Sequence, residues 1–411
     1  MDQECTSAGV ADSRGRAGVD ANVVSGAGAR RSAISFRGMR FDNAGSEPGL
    51  SIVMPTVSWT GTFEPCARRC LELVDAAGGG VELVVVFDGD PPSTPAWLDR
   101  SGVTVIGTGV RRGPARARNM AAEAAAGELL LFVDADVELA GDAVDRIRAA
   151  FAVDPDLVAL FGAYDDEPLA VGTVSQFRNL LHHHTHVAHP GRAGTFWSGC
   201  GAIRAASFLD IGGFDEKYRF PSVEDIELGM RIAAAGGRIV LDPTVRCKHA
   251  KRWSLGSMVY TDIVHRARPW TRLIAVSHSL PNALNIDWRG RLSGICAVGM
   301  LVAGVAASLL PAAALPACGV VLVACLAVLI AINADFYRLC LRKRGLPFAV
   351  VSIALHWLYY VYSSITFGVV MIQETALGLV RSFACPTPSS ASSSTGEPLA
   401  AANPSPPIVG G

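Results

Sequence analysis

Apolar residues recur along this chain with three different periods. Short runs suited to strands come first, each followed by helical spacing, and long uncharged runs close the sequence. Leu50–Thr56 reads as a strand closed by Pro55, and Phe63, Cys66, Ala67, Cys70, Leu71 and Val74 fall at helical spacing over 63–76. Val81–Phe87 reads as a second strand ending in Asp88-Gly89-Asp90, and Val103–Ile106 as a third. A Gly/Arg-rich loop, 107–112, leads into a helix from about Pro114 to Ala126. The run Leu129–Val133 then ends abruptly in Asp134-Ala135-Asp136. Ile226, Met230 and Ala233 predict a helix beginning near Ser222, and Ile239–Pro243 a late strand. Strands alternating with helices predict an α/β domain with a mostly parallel central sheet covered on both faces. Right-handed crossovers place the carboxyl ends of the first four strands along one edge, so Asp88, Asp134 and Asp136 are expected to converge there.

The long runs change the picture from soluble domain to membrane protein. Residues 292–310 and 315–333 lack charge and approach bilayer-spanning length, and a third run, 348–372, is uncharged and rich in Trp and Tyr. The connection between the first two carries no charge. Arg289 and Arg291 precede the first, while Arg338, Arg342, Lys343 and Arg344 separate the second from the third. Positive residues favour the cytoplasmic side, so both clusters and everything N-terminal to them are expected in the cytoplasm, with the chain multi-pass in the inner membrane. Residues 263–291 carry Arg266, Arg268, Trp270, Arg272, His278 and Trp288 with few acids, a composition expected of an amphipathic segment lying on the cytoplasmic leaflet. The predicted organisation is therefore a Gly/Ala/Ser/Arg-rich disordered lead at 1–47 without an apolar signal core, the α/β domain at 48–262, the interfacial segment at 263–291, a transmembrane region at 292–373, and a disordered Pro/Ser-rich tail at 382–411.

Composition sharpens this only at two points. Of 411 residues, 50% are hydrophobic and 18% charged, apolar for a soluble enzyme, and the net charge of −1 leaves no basic footprint for nucleic acid. The ten cysteines are scattered without metal-knuckle spacing and are expected to be structural, reduced residues.

The candidate chemistry is acidic. Two carboxylates one residue apart at a strand end can share a hard divalent cation and the diphosphate it carries, or act as a loop acid and a helix cap. Arg116 and Arg118, at the start of the helix from Pro114, suit phosphate or a solvated helix face. Asp225 follows Glu224; it is either a general base raised by its acidic neighbour or, with Ser222, part of a capping box. In Lys248-His249-Ala250-Lys251-Arg252-Trp253 a cationic cluster can hold a departing diphosphate, His249 can ligate metal and Trp253 can stack on a sugar, or the stretch faces anionic headgroups. Trp197-Ser198-Gly199-Cys200-Gly201 is a wall for a flat ligand or ordinary turn packing. Five of the nine histidines lie at 182–189; they lack zinc spacing and are expected in a loop lining the acceptor or facing headgroups.

Taken in order, Pro55-Thr56, Phe87-Asp88-Gly89-Asp90, Ala117-Arg118-Asn119, Asp134-Ala135-Asp136, Gly212-Gly213-Phe214-Asp215-Glu216 and Glu224-Asp225 resemble the family 2 glycosyltransferases of membrane-anchored, bacterial type. The resemblance covers roughly 50–255 and implies a GT-A, Rossmann-like fold. It implies that Pro55, Thr56, Asp88, Arg118, Asp134 and Trp253 bind a nucleotide-sugar, that Asp136 and His249 hold Mn²⁺ or Mg²⁺, and that Asp225, Glu224 and Arg252 serve catalysis. Asp88 stands where the family more often has a second acid before it, and His249 where processive members have Gln in Gln-x-x-Arg-Trp. The implied activity is inverting, metal-dependent transfer of a sugar to a hydroxyl or phosphate of a lipid or lipid-linked acceptor of the cell envelope. A processive polysaccharide synthase and a non-catalytic nucleotide-sugar-binding membrane protein are the alternatives.

Overall fold

The computed structural model describes residues 49–277 and 287–384, with side chains placed through 377. The expected lead at 1–47, His278 and residues 385–411 of the expected tail lie outside the described residues; residues 382–384 continue the last helix.

Four parallel strands form the first half of the sheet: β1 Leu50–Thr56, β2 Val81–Phe87, β3 Val103–Gly107 and β4 Leu129–Val133. β1 lies between β2 and β4, with β3 outside β2. β4 is buried along its whole length, as expected for a strand covered on both faces. The crossover helices are α1 Phe63–Ala76 and α2 Pro114–Ala124. Helix α2 opens on Pro114, whose fixed φ suits the first helical position. Gly113 before it has φ +94°, and a Cβ there would sit 2.2 Å from the Arg219 carbonyl oxygen, so the turn admits only glycine.

The second half is mixed. It comprises β5 Val137–Leu139, α3 Ala143–Val153, β6 Leu157–Tyr164, α4 Thr173–Val187, β7 Gly191–Ala193, β8 Cys200–Arg204, α5 Ala205–Asp210, α6 Glu224–Ala234 and β9 Arg238–His249. Strand β8 inserts antiparallel between β4 and β6, and β9 runs parallel to β6 but antiparallel to β5 and β7. The predicted late strand stops at Pro243; β9 instead runs on to His249. Proline is accommodated because the β6 pairing shifts register between Phe161 and Ala163, and the Asp242 carboxylate accepts the Thr244 N–H at 2.9 Å. This extension has a chemical consequence: pairing with β5 sets His249 opposite Val137, one residue beyond Asp136.

Helices α1 and α3 cover one sheet face through Phe63, Cys66, Cys70, Ile147 and Phe151. Helices α2, α5 and α6 cover the other through Ala117, Ala121, Phe208, Leu228 and Ile232. The cysteines among the described residues are all unpaired, and burial pushes the Cys66 thiol up to about 12.

Beyond the sheet lie α7 Leu255–Tyr260, a π-helix at Thr261–Ala267, α8 Arg268–Ser277, α9 Trp288–Leu309, α10 Leu315–Ile332 and α11 Ala334–Ala384, the last broken at Gly345 with φ +81°. Three helices, Trp288–Leu309, Ala312–Ile332 and Ala334–Leu377, are long and apolar enough to cross a membrane. The basic segment before the third, expected as a loop, is helical. Its Phe336, Tyr337 and Cys340 pack on Phe177 and Leu180 of α4, and Lys343 bonds the Asp166 carboxylate at 2.6 Å. The sheet domain therefore docks on the arm that carries the basic cluster. A second tie is buried: Asp262 of the π-helix accepts from Arg178 of α4 at 2.7 Å and from the Tyr362 hydroxyl of α11 at 2.6 Å.

Candidate active site

Asp134 and Asp136 follow β4 at the carboxyl edge of the sheet, where the sequence places them. Arg118 of α2 lies behind them, 4% exposed, donating to Asp134 at 2.6 Å and to Glu224 at 3.0 Å. Glu224 is 3% exposed and its other oxygen accepts the Ser222 N–H at 2.8 Å. Arg118 and Glu224 are thus committed to each other, and their carboxylate and guanidinium groups are the frame of the site.

That frame leaves Asp225 as the acid with chemistry to offer. The capping alternative falls away: α6 begins at Glu224, and the Ser222 hydroxyl donates to the His265 carbonyl at 3.0 Å. Asp225 accepts instead from the backbone N–H of Ser198 at 3.0 Å and from its hydroxyl at 3.3 Å. Burial first, and then the Glu224 carboxylate, push Asp225 up to about 7. The pairing is made possible by Gly229, where α6 lies directly on the preceding chain; a Cβ there would be 2.1 Å from the Phe196 nitrogen. Gly229→Ala is therefore expected to destabilise the protein by about 1–3 kcal/mol, read as a lower thermal midpoint, and to loosen the Ser198–Asp225 contact.

Asp136 and His249 face each other at 3.7 Å. The Ala250 N–H bonds the Asp136 carbonyl at 2.8 Å, and Tyr164 stacks on the imidazole at 4.6 Å, 18° from parallel. Burial opposes ionisation of Asp136, yet the neighbouring His249 and Lys251 hold its carboxyl below the usual range. One carboxylate and one imidazole form an incomplete donor set, and no group of three or more His, Cys, Asp or Glu that could hold a metal occurs among the described residues. That donor set fits a divalent ion completed by substrate phosphates, the way Mg²⁺ is commonly held.

These groups open on a single cavity of about 770 Å³. Its walls include Asp134, Asp136, Asp225, His249, Lys251 and Trp253. Trp270 and Ile274 of α8 also line it, as do Ile295, Val298 and Phe367 of the apolar helices α9 and α11. Several expected residues are not among its walls. Pro55 and Thr56 end β1, and the Thr56 hydroxyl donates to the Ser58 carbonyl at 2.7 Å. Asp88 is 7% exposed; its oxygens accept the N–H groups of Arg112 at 2.9 Å and Gly113 at 3.0 Å, so it organises the loop before α2. Arg252 is exposed, and Lys251 takes the cavity position, 4.4 Å over the Trp253 ring. Trp197 is both wall and packing: it lines the cavity, and a Cβ on Gly199 would lie 2.5 Å from its ring.

The histidine run is helical, which overturns the expected loop. On α4 the residues Arg178, His182, Thr185 and His186 share one face and line the cavity, while His184 meets Phe336 on another. The i, i+4 spacing of His182 and His186 is the signal that could have found them; Tyr164, on the same cavity wall, carries no motif of its own.

Residues 51–212 match the model of glycosyl transferase family 2. An inactive polypeptide N-acetylgalactosaminyltransferase-like protein 5 of Macaca fascicularis is 28% identical over 171 residues, covering 37% of this chain and 39% of that protein. An N-acetylglucosaminyl-diphospho-decaprenol L-rhamnosyltransferase of Mycobacterium tuberculosis is 40% identical over 57 residues, 14% of this chain and 18% of its own. The chain thus spans well under half the length of either curated relative. A mannosyltransferase of Pyrobaculum calidifontis, solved with GDP-Man and Mn²⁺, aligns over 84% of this chain and 91% of its own at 18% identity and a TM-score of 0.46. The mixed sheet with helices on both faces, and a segment, 51–212, that is similar to glycosyl transferase family 2 and contains the acidic edge at Asp134 and Asp136, make this an α/β fold of GT-A type.

Proposed function

We propose that the protein is an inverting, metal-dependent glycosyltransferase that moves a sugar from a nucleotide-diphosphate sugar to a lipid or lipid-linked acceptor. The observation that carries this reading is one cavity lined by Asp225, by the facing pair Asp136 and His249, and by the apolar helices α9 and α11. Asp225, whose carboxyl burial and the Glu224 carboxylate raise to about 7, takes the proton of an acceptor hydroxyl. The freed oxygen attacks the anomeric carbon, and a single displacement inverts it. Asp136 and His249 would hold Mn²⁺ or Mg²⁺, which when bound neutralises the diphosphate leaving group. Lys251, on the same cavity wall, adds positive charge beside it. Asp134 serves the nucleotide side and Trp253 offers an indole face to a sugar. Lys343 joins the sheet domain to the basic arm, and the positive-inside rule supports a cytoplasmic side for both, with α9, α10 and the part of α11 after Gly345 in the inner membrane. In this reading 48–262 is the catalytic domain and 263–291 an interfacial segment, whose helix α8 lines the cavity through Trp270 and Ile274.

The test is a screen of nucleotide-sugar donors with membranes containing the full chain, read by mass spectrometry of the lipid fraction. A lipid product bearing one added sugar is expected; a ladder of products would identify a processive synthase. A relative named inactive supports the second reading, a binding protein without turnover, and donor binding with no product from any donor would select it. Transfer is also expected to increase with pH through about 7 and to level off above it, because the raised Asp225 carboxyl must lose its proton to act. A rate that falls over that range would remove Asp225 as base.

A further inference from the structure

The histidine face of α4 has no role in donor binding or metal holding, yet it lines the cavity beside the candidate base. His182 and His186 lie 4.2 Å apart by ring centroids, and each packs on Trp197, at 5.1 and 5.2 Å. Tyr164 closes the group, 4.7 Å from His182 and 4.9 Å from Trp197. One peptide bond joins Trp197 to Ser198, whose N–H holds Asp225. The wall and the base are therefore positioned by the same stretch of backbone.

From this geometry we infer that Tyr164, His182, His186 and Trp197 seat a sugar ring already present on the acceptor, so that Asp225 meets a ring hydroxyl and not a lipid phosphate. The inference rests on the transferase reading and narrows its acceptor. The wall offers flat aromatic faces and single hydrogen bonds, the chemistry that suits the C–H face and hydroxyls of a sugar. His186 Nδ1 donates to the Gly162 carbonyl at 3.0 Å, which fixes its tautomer and leaves Nε2 as an acceptor. His182 Nδ1 is buried without a partner, an atom that a ligand hydroxyl would satisfy. Burial holds both rings uncharged near neutrality, His186 down at about 4. A phosphate would seek cations, and on the cavity wall Lys251 and Arg266 stand over the Trp253 ring, at 4.4 and 6.0 Å. A phosphate oxygen is already anionic and needs no base, whereas a sugar hydroxyl does. In the step, the hydroxyl proton passes to the Asp225 carboxylate and the oxygen bonds to the anomeric carbon of the donor. The bond from that carbon to the diphosphate breaks, and the diphosphate leaves with the electron pair.

The experiment uses the full chain in membranes with radiolabelled donor, followed by mild acid treatment of the lipid product. Acid cleaves glycosyl phosphates and spares ordinary glycosidic bonds. Label released as a disaccharide or larger fragment is expected. Label released as the monosaccharide, or retained on a lipid with no sugar beneath it, overturns the inference while leaving transferase activity intact. No labelled lipid from any donor overturns the transferase reading itself. His182→Phe, which keeps the flat face and loses the nitrogens, is expected to raise acceptor KM about tenfold with donor KM unchanged. His182→Gln restores a hydrogen-bonding group and is expected to recover part of that loss. Equal changes in both KM values, with no recovery by glutamine, would reduce His182 to a packing residue.

Discussion

Asp225→Asn is expected to lower sugar transfer by about a hundred- to ten-thousand-fold while leaving nucleotide-sugar binding nearly unchanged, the range over which a positioned general base acts. The substitution is nearly isosteric. Its amide oxygen can still accept from the Ser198 N–H, so the Trp197–Ser198 segment keeps its place. What is lost is proton acceptance. The carboxyl suits that role because burial and Glu224 raise it to about 7, where it is both available as a base and basic enough to act. Donor affinity measured by calorimetry and initial rates measured on the same preparation separate the two effects. Retention of full activity would remove Asp225 from the mechanism. Parallel loss of binding and rate would instead make it part of the donor site.

Much of the fold was legible because its signals are local. Each early strand is a run of apolar residues, and each crossover helix shows its own period, so β1 to β4 and the edge carrying Asp134 and Asp136 follow from the residues themselves. The second half is less legible because its pairings are long-range. No local period tells that β8 enters antiparallel between β4 and β6, or that β9 passes Pro243 to bring His249 beside Asp136. In the candidate site the residue types were legible and their orientations were not. Asp88 has the sequence position of a ligand contact, but the loop amides of Arg112 and Gly113 take its carboxylate. The adjacent Lys251 and Arg252 look interchangeable in sequence, yet the turn after β9 directs Lys251 to the cavity and Arg252 to solvent. The histidine run looked like a loop because five similar polar residues conceal a helical period. Its apolar partners, Phe177 and Leu181, precede it on the same helix.

Arg118→Met is expected to cost about 3–5 kcal/mol, the penalty for leaving a buried carboxylate without its partner. Arg118 and Glu224 are 4% and 3% exposed, and the guanidinium also reaches Asp134. Removing the cation leaves Glu224 facing Asp134 and Asp225 across a poorly solvated space, where like charges cannot all stay ionised. The loss is expected as a fall in thermal midpoint on the order of 10 °C for a domain of this size. A second substitution identifies the cause. If the cost is the stranded charge, Arg118→Met with Glu224→Gln recovers much of the stability, because the neutral amide no longer needs a cation. If the cost is lost packing of the Arg118 stem against Phe214, whose ring lies 5.5 Å from the guanidinium carbon, the double variant is no more stable than the single one. The double variant also tests the division of labour at the site. Transfer is expected to stay low where the fold is recovered, because Asp225 then lacks both the Glu224 carboxylate that raises it and the Arg118 cation paired with that carboxylate.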